Sequence, residues 1–242
     1  MPAPRLRTAC RLTALIAAVC VGVCVCARAD ADARGIDELE QAVAADPENL
    51  KLAADYRQLT IAGAAFDRSI EFLEKLAKRA GSGPNVQISL ALAYVDKVPT
   101  SGDIRRLYLG RDAMAALTKS IERRPSVLPC YLRGVINLYY NSFIFHRIPR
   151  GIADLQRALT LAGPETPPAL VARVYLSLGD GYWRLDDREK ARDAWTRGAG
   201  RYPAGPGFSA RLVADERETE AAVTRALYAG TRVDTSLRDL LP

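Results

Sequence analysis

Apolar residues recur along this chain at three- and four-residue intervals, in runs broken by Gly, Pro and Asp, which is the spacing of helices that bury one face. In "LAADYRQLTIAGAAFDRSIEFLEKLAKRAGSG", Leu52, Tyr56 and Leu59 fall on one stripe and Phe66, Ile70, Leu73 and Ala77 on the next, with Gly63-Ala64 between them. The pair predicts a helical hairpin, and Gly81-Ser82-Gly83-Pro84 is an ordinary connector to the next one. "VQISLALAYVDK" supplies a first helix through Ile88, Ala91, Leu92 and Val95. "GRDAMAALTKSIERRP" supplies its mate through Ala113, Ala116, Leu117 and Ile121, with "VPTSGDIRRLYL" inserted between them. "LPCYLRGVINLYY" and "GIADLQRALTLAG" predict a third hairpin, and "IDELEQAVAADPEN" a lone helix ahead of them all that ends at Asp46-Pro47. No stretch alternates with a period of two for long enough to make a strand, so the pattern predicts an all-α fold.

The most regular segment is "VYLSLGDGYWRLDDREKARDAWTRGAGRYP". Tyr175, Leu178, Gly179 and Tyr182 are followed by Ala191, Trp195 and Pro203 at the spacing of the 34-residue tetratricopeptide repeat, a helix-turn-helix unit. The segment resembles that family, with Tyr in place of the usual first Trp and Trp in place of the later Phe. Each matched position has a packing reason. Gly179 and Ala191 are small where two antiparallel helices approach, the aromatics fill the adjoining gaps, and Pro203 stops the second helix. The resemblance extends over residues about 36 to 205, strongest in this repeat. It implies a tetratricopeptide-like array of antiparallel hairpins, an α-solenoid, over residues 30–205. Each hairpin leaves an apolar face that only a neighbour buries, so the ends need capping. The tail "SARLVADERETEAAVTRALYAG" supplies a capping helix within 206–242, through Val213, Ala222, Val223, Ala226 and Leu227. Whether "TRVDTSLRDLLP", with Leu237, Leu240 and Leu241, docks back on the array is open at the level of sequence.

The N-terminus changes the reading of charge. Arg5, Arg7 and Arg11 precede an unbroken small and apolar run from Leu12 to Ala27, and Ala27-Arg28-Ala29 has the small-x-small pattern of a signal-peptidase site. Residues 1–29 therefore read as a secretory signal peptide, and the expected location is periplasmic or secreted, without a stable membrane span after cleavage. Cys20, Cys24 and Cys26 each follow Val rather than the small residue a lipidation signal needs. The whole chain carries 34 Lys and Arg against 28 Asp and Glu, but four arginines leave with the leader, so the balance of 30 against 28 is only +2. Basic and acidic residues are interspersed, which argues against nucleic-acid binding. Cleavage also leaves one cysteine, Cys130, and one histidine, His146, too few for a multi-cysteine zinc site.

Candidate chemistry is sparse. "NLYYNSFIFHRIPRG" gathers Tyr139, Tyr140, Phe143 and Phe145 beside His146 in a lengthened turn of the third hairpin, with Arg147 and Arg150 flanking them. Buried aromatics each remove 150 to 250 Å² from water and anchor thin arrays, so packing is the first reading. Aromatics with Arg also mark interface hot spots, which is the second. His146 has no carboxylate nearby in sequence to orient it, and Cys130 lies in an apolar helix, so neither makes a nucleophile-base pair. "LGDGYWRLDDREK" lacks both the strand that precedes a phosphate loop and the oxygen spacing of a calcium loop. Asp186-Asp187 there reads as a turn and N-cap. No Gly-x-Ser-x-Gly, His-Glu-x-x-His or Cys-x-x-Cys occurs. No catalytic residue, metal or cofactor is expected.

The resemblance implies an interaction protein that is not an enzyme, in which the first helices of the hairpins line a concave face for another envelope or periplasmic protein. Matched by position, that face takes Leu176, Asp180, Trp183 and Arg184 from the best repeat and Ile136, Tyr139 and Tyr140 from the third hairpin. Trp183 turns away from the packing side of Tyr182, so it needs a cover, either the lengthened turn or a partner. The Lys and Asn pattern with which some members clamp a C-terminal carboxylate is not matched. A second reading is an accessory subunit of a periplasmic solute-handling or transport system, with the same array presenting a cavity to a small molecule.

Overall fold

The computed structural model describes residues 34–139, 147–203, 205, 207–228 and 235–241. The signal segment and Tyr140, Phe143, Phe145 and His146 lie outside the described residues. Helix α1 spans 34–45. It is followed by α2 (Leu50–Ala62), α3 (Phe66–Ala77), α4 (Pro84–Lys97) and a short 3₁₀ turn, Val98–Thr100. Then come α5 (Asp103–Arg123), α6 (Val127–Tyr139), α7 (Ile148–Leu161), α8 (Pro168–Arg184) and α9 (Arg188–Arg201). Two C-terminal helices, α10 (Ser209–Leu212) and α11 (Glu216–Tyr228), close the chain. No strand occurs among the described residues.

The helices pair as α2/α3, α4/α5, α6/α7 and α8/α9, and each pair stacks on the next through α3 against α4, α5 against α6 and α7 against α8. The closest approaches are made possible by glycine. A Cβ on Gly179 would lie 2.2 Å from the Trp195 indole, so α9 can seat its tryptophan against α8 only because position 179 has no side chain. Across α6/α7, Gly134 and Gly151 face each other, and a Cβ on Gly151 would lie 2.8 Å from the Gly134 carbonyl. Trp195 is fully buried, and one continuous apolar cluster runs from Ile36 through Leu73, Leu92, Leu117, Leu132, Leu155 and Leu178 to Leu240.

Helix ends follow their local chemistry. Asn49 caps α2 by accepting from the Leu52 N–H at 3.1 Å, and Asp187 caps α9 by accepting from the Lys190 N–H at 3.1 Å, as the Asp-Asp turn predicts. Two segments differ from the sequence pattern. Most of the insertion "VPTSGDIRRLYL" is helical: it forms the first two turns of α5, with Asp103 in the first turn where the helix dipole favours an acid. The expected single capping helix is split at Val213–Asp215. Asp215 accepts from the Glu218 N–H at 2.8 Å, starting a new helix, and Val213 is left 86% exposed instead of joining the apolar face of Ala222 and Val223. The tail does dock: Leu237 and Leu240 are buried in the common core. No helix among the described residues is long and apolar enough to cross a membrane.

Candidate functional site

Among the first helices, α2 packs against α4 and α6 against α8, and helix α11 of the C-terminal segment reaches α6. Each named residue of the best repeat meets that segment or its neighbour. Asp180 is buried in the C-terminal part of α8 and takes a bidentate ion pair from Arg211 of α10, Nε at 2.6 Å and Nη2 at 2.8 Å. The Trp195 indole N–H donates to the same carboxylate at 3.2 Å. Burial pushes the Asp180 carboxyl upward, and Arg211 and Trp195 pull against that push. Leu176, half-buried, packs beside Gly207, whose φ of +86° turns the chain back toward α8.

Trp183 is 4% exposed. Its cover is helix α11: the indole N–H donates to Glu220 at 2.5 Å, the Trp195 ring lies 5.6 Å away on one side, and the Arg188 guanidinium sits 3.6 Å over the ring. Arg188 also bridges to Glu216, at the first turn of α11. Arg184, half-buried, donates to the Leu138 carbonyl at the end of α6, joining two first helices. Of the third-hairpin residues, Ile136 is buried in the core, Tyr139 is 39% exposed at the last turn of α6, and Tyr140 lies outside the described residues.

The strongest polar feature of this face lies where the sequence pattern gave no signal. Arg57 of α2 and Asp96 of α4 are fully buried and joined by an ion pair, Nη1 to Oδ2, at 3.1 Å. Thr235 closes the group from the tail: its carbonyl accepts from Arg57 Nη2 at 2.7 Å and its hydroxyl donates to Asp96 Oδ1. Burial lowers the Arg57 pKa, and Asp96 opposes that effect. Further along, Asp239 approaches Arg173, near the start of α8, at 3.8 Å. Arg57 and Asp96 are 39 residues apart, and Thr235 is 139 beyond Asp96, so only the tertiary fold brings them together.

Among the described residues no three His, Cys, Asp or Glu side chains stand close enough to hold a metal ion. Cys130 is fully buried, and burial raises its thiol pKa, which leaves it an unreactive packing residue. Two shallow grooves open between neighbouring hairpins, one of about 330 Å³ beside Tyr175, Tyr182 and Lys190, the other of about 410 Å³ beside Tyr94 and Tyr108.

Comparison with known proteins agrees with this geometry. The chain is similar to the crystal structure of a thermophilic tetratricopeptide-repeat protein from Thermus thermophilus, with a TM-score of 0.52 at 16% identity. The match covers 86% of this chain and 94% of that one. No protein-family model and no curated protein matches the sequence. Paired antiparallel helices, stacked in chain order and superimposable on that array, show that the chain has the all-α tetratricopeptide-repeat fold.

Proposed function

We propose that this protein is an exported, non-enzymatic interaction scaffold that holds a segment of another envelope protein on the face formed by its first helices. One observation carries the reading: that face already holds polypeptide. Helix α11 covers Trp183 on α8, and the buried Arg57–Asp96 pair grips the backbone carbonyl and hydroxyl of Thr235. A surface that binds main-chain and side-chain groups of a peptide segment in this way has the chemistry of a protein-recognition groove. Export rests on the arginine-flanked apolar leader. The mass of the protein purified from the envelope should correspond to a chain beginning at Asp30, and retention of Met1 would make the leader an anchor.

A photo-crosslinking residue placed at Tyr139, exposed at the edge of this face, should give a discrete protein adduct in cells. The same residue at Arg192, exposed on α9, should not. Equal labelling at both positions, or no adduct together with stabilisation by a small solute in a thermal-shift panel, would favour the accessory-subunit reading. Because His146 has no orienting carboxylate in its sequence neighbourhood, His146→Ala should leave adduct formation unchanged. Loss of function in a normally folded His146→Ala protein would bring back an enzymatic role.

A further inference from the structure

The tail residue Thr235 sits in a site that is not fully used. Arg57 is completely buried, yet its Nε has no hydrogen-bond partner among the described residues. Elsewhere in this molecule the Nε/Nη2 edge of arginine takes two oxygens at once: Arg68 on Glu40, Arg133 on Asp154 and Arg211 on Asp180. On Arg57 the same edge holds one carbonyl oxygen, from Thr235, through Nη2 alone. Asp96 already neutralises the guanidinium through Nη1, so the missing acceptor is a neutral carbonyl rather than a second carboxylate. The tail also adopts a conformation that its own sequence disfavours. Leu237 has a φ of +55°, a left-handed backbone rarely tolerated by a branched side chain unless its surroundings impose it, and its side chain is fully buried.

We propose that the Arg57–Asp96 pair and the first-helix surface around it form a recognition site for a polypeptide segment with a hydroxyl residue followed by leucine two and five positions later. Thr235, Leu237 and Leu240 occupy this site as the chain's own displaceable ligand. The partner is a protein that presents this pattern with an additional amide carbonyl for Arg57 Nε. This inference rests on the interaction reading above and names the segment that reading leaves unspecified. A tethered ligand competes at an effective concentration on the order of millimolar, so an incoming segment binds the resting protein far more weakly than the vacated site.

The test uses the full chain and a fluorescent peptide of sequence 235–241. Leu237→Ser with Leu240→Ser removes the resident anchors, and the peptide should then bind at least tenfold more tightly than to the wild type, while a scrambled peptide does not bind. Thr235→Val, which removes one hydrogen bond from the resident segment, should tighten peptide binding in the same direction by a smaller factor. Arg57→Met in the released background should weaken it at least tenfold. Equal affinity for wild type and released variant, or binding that ignores Arg57, overturns the proposal. So does a released variant without its helical circular-dichroism signal, because a segment needed for folding is core and not ligand. A discrete adduct at Tyr139 without peptide binding would leave the scaffold reading standing and remove only this inference.

Discussion

Trp183 follows Tyr182 in sequence, and at about 100° per residue the two side chains leave α8 on different sides. Tyr182 turns toward α7, where its hydroxyl accepts from Gln156 at 2.8 Å. Trp183 leaves on another side, and its cover is helix α11 rather than the lengthened turn or the partner that the sequence reading names. What local sequence cannot supply is the cover itself, Glu220, which lies 37 residues away in a helix with its own amphipathic pattern. With the ring 4% exposed between Trp195, Arg188 and α11, Trp183→Ala should lower stability by about 3 to 5 kcal/mol in chemical denaturation, the cost of a core aromatic. Trp183→Phe keeps an aromatic ring but loses the indole N–H bond and part of the ring volume, so its cost should fall between about 1 kcal/mol for the hydrogen bond alone and the loss in Trp183→Ala. Gly179 was legible from its place in the repeat, because its reason is local: the Trp195 indole stands where a Cβ would be. Gly179→Ala should destabilise by roughly 1 to 3 kcal/mol through overpacking, visible as a shifted denaturation midpoint.

At the scale of helices, what could be read from the chain was what repeats at short range. The hairpin pairs, the small residues between them and the Asp187 cap all depend on residues within one turn or one hairpin of each other. The two misplaced boundaries have the opposite character. The start of α5 reaches back into an apparent insertion, and Ile104, Leu107 and Tyr108 are exposed there, so no buried stripe advertises a helix. The break before α11 depends on Asp215, whose side chain satisfies the Glu218 N–H and whose carbonyl accepts from the Thr219 N–H. An acid in the middle of an apparent helical run is as easily a solvated surface residue as a cap. Asp215→Ala should therefore cost about 1 kcal/mol, and hydrogen exchange should rise in the first turn of α11 more than in α8 or α9. Asp187→Ala should have a similar energetic cost, with the increase in exchange confined to the start of α9.

Across the whole molecule, the C-terminal segment is tied to the array through polar groups that have no short-range pattern. Arg57, Asp96 and Thr235 close one end of the face, and Asp180 with Arg211 closes the other. Both ion pairs are buried, and a buried charge that loses its partner is costly to keep, so Asp180–Arg211 ties α10 to α8, and Arg57–Asp96 holds Thr235 by hydrogen bonds, even where the pairs add little net stability. The Asp180–Arg211 pair allows a direct measurement of this. Asp180→Ala leaves Arg211 buried and uncompensated, and Arg211→Ala leaves the carboxylate in the same state, so each single variant should lose about 3 to 5 kcal/mol. The double variant removes both charges and should cost little more than either single change, giving a large coupling energy in a double-mutant cycle followed by chemical denaturation. Simple additivity would mean that Arg211 reaches water when Asp180 is removed. The segment from Gly207 onward would then rest on the array through the apolar contacts of Phe208, Val223, Leu237 and Leu240 and the polar contacts of Glu220 with Trp183 and of Thr235 with Arg57 and Asp96.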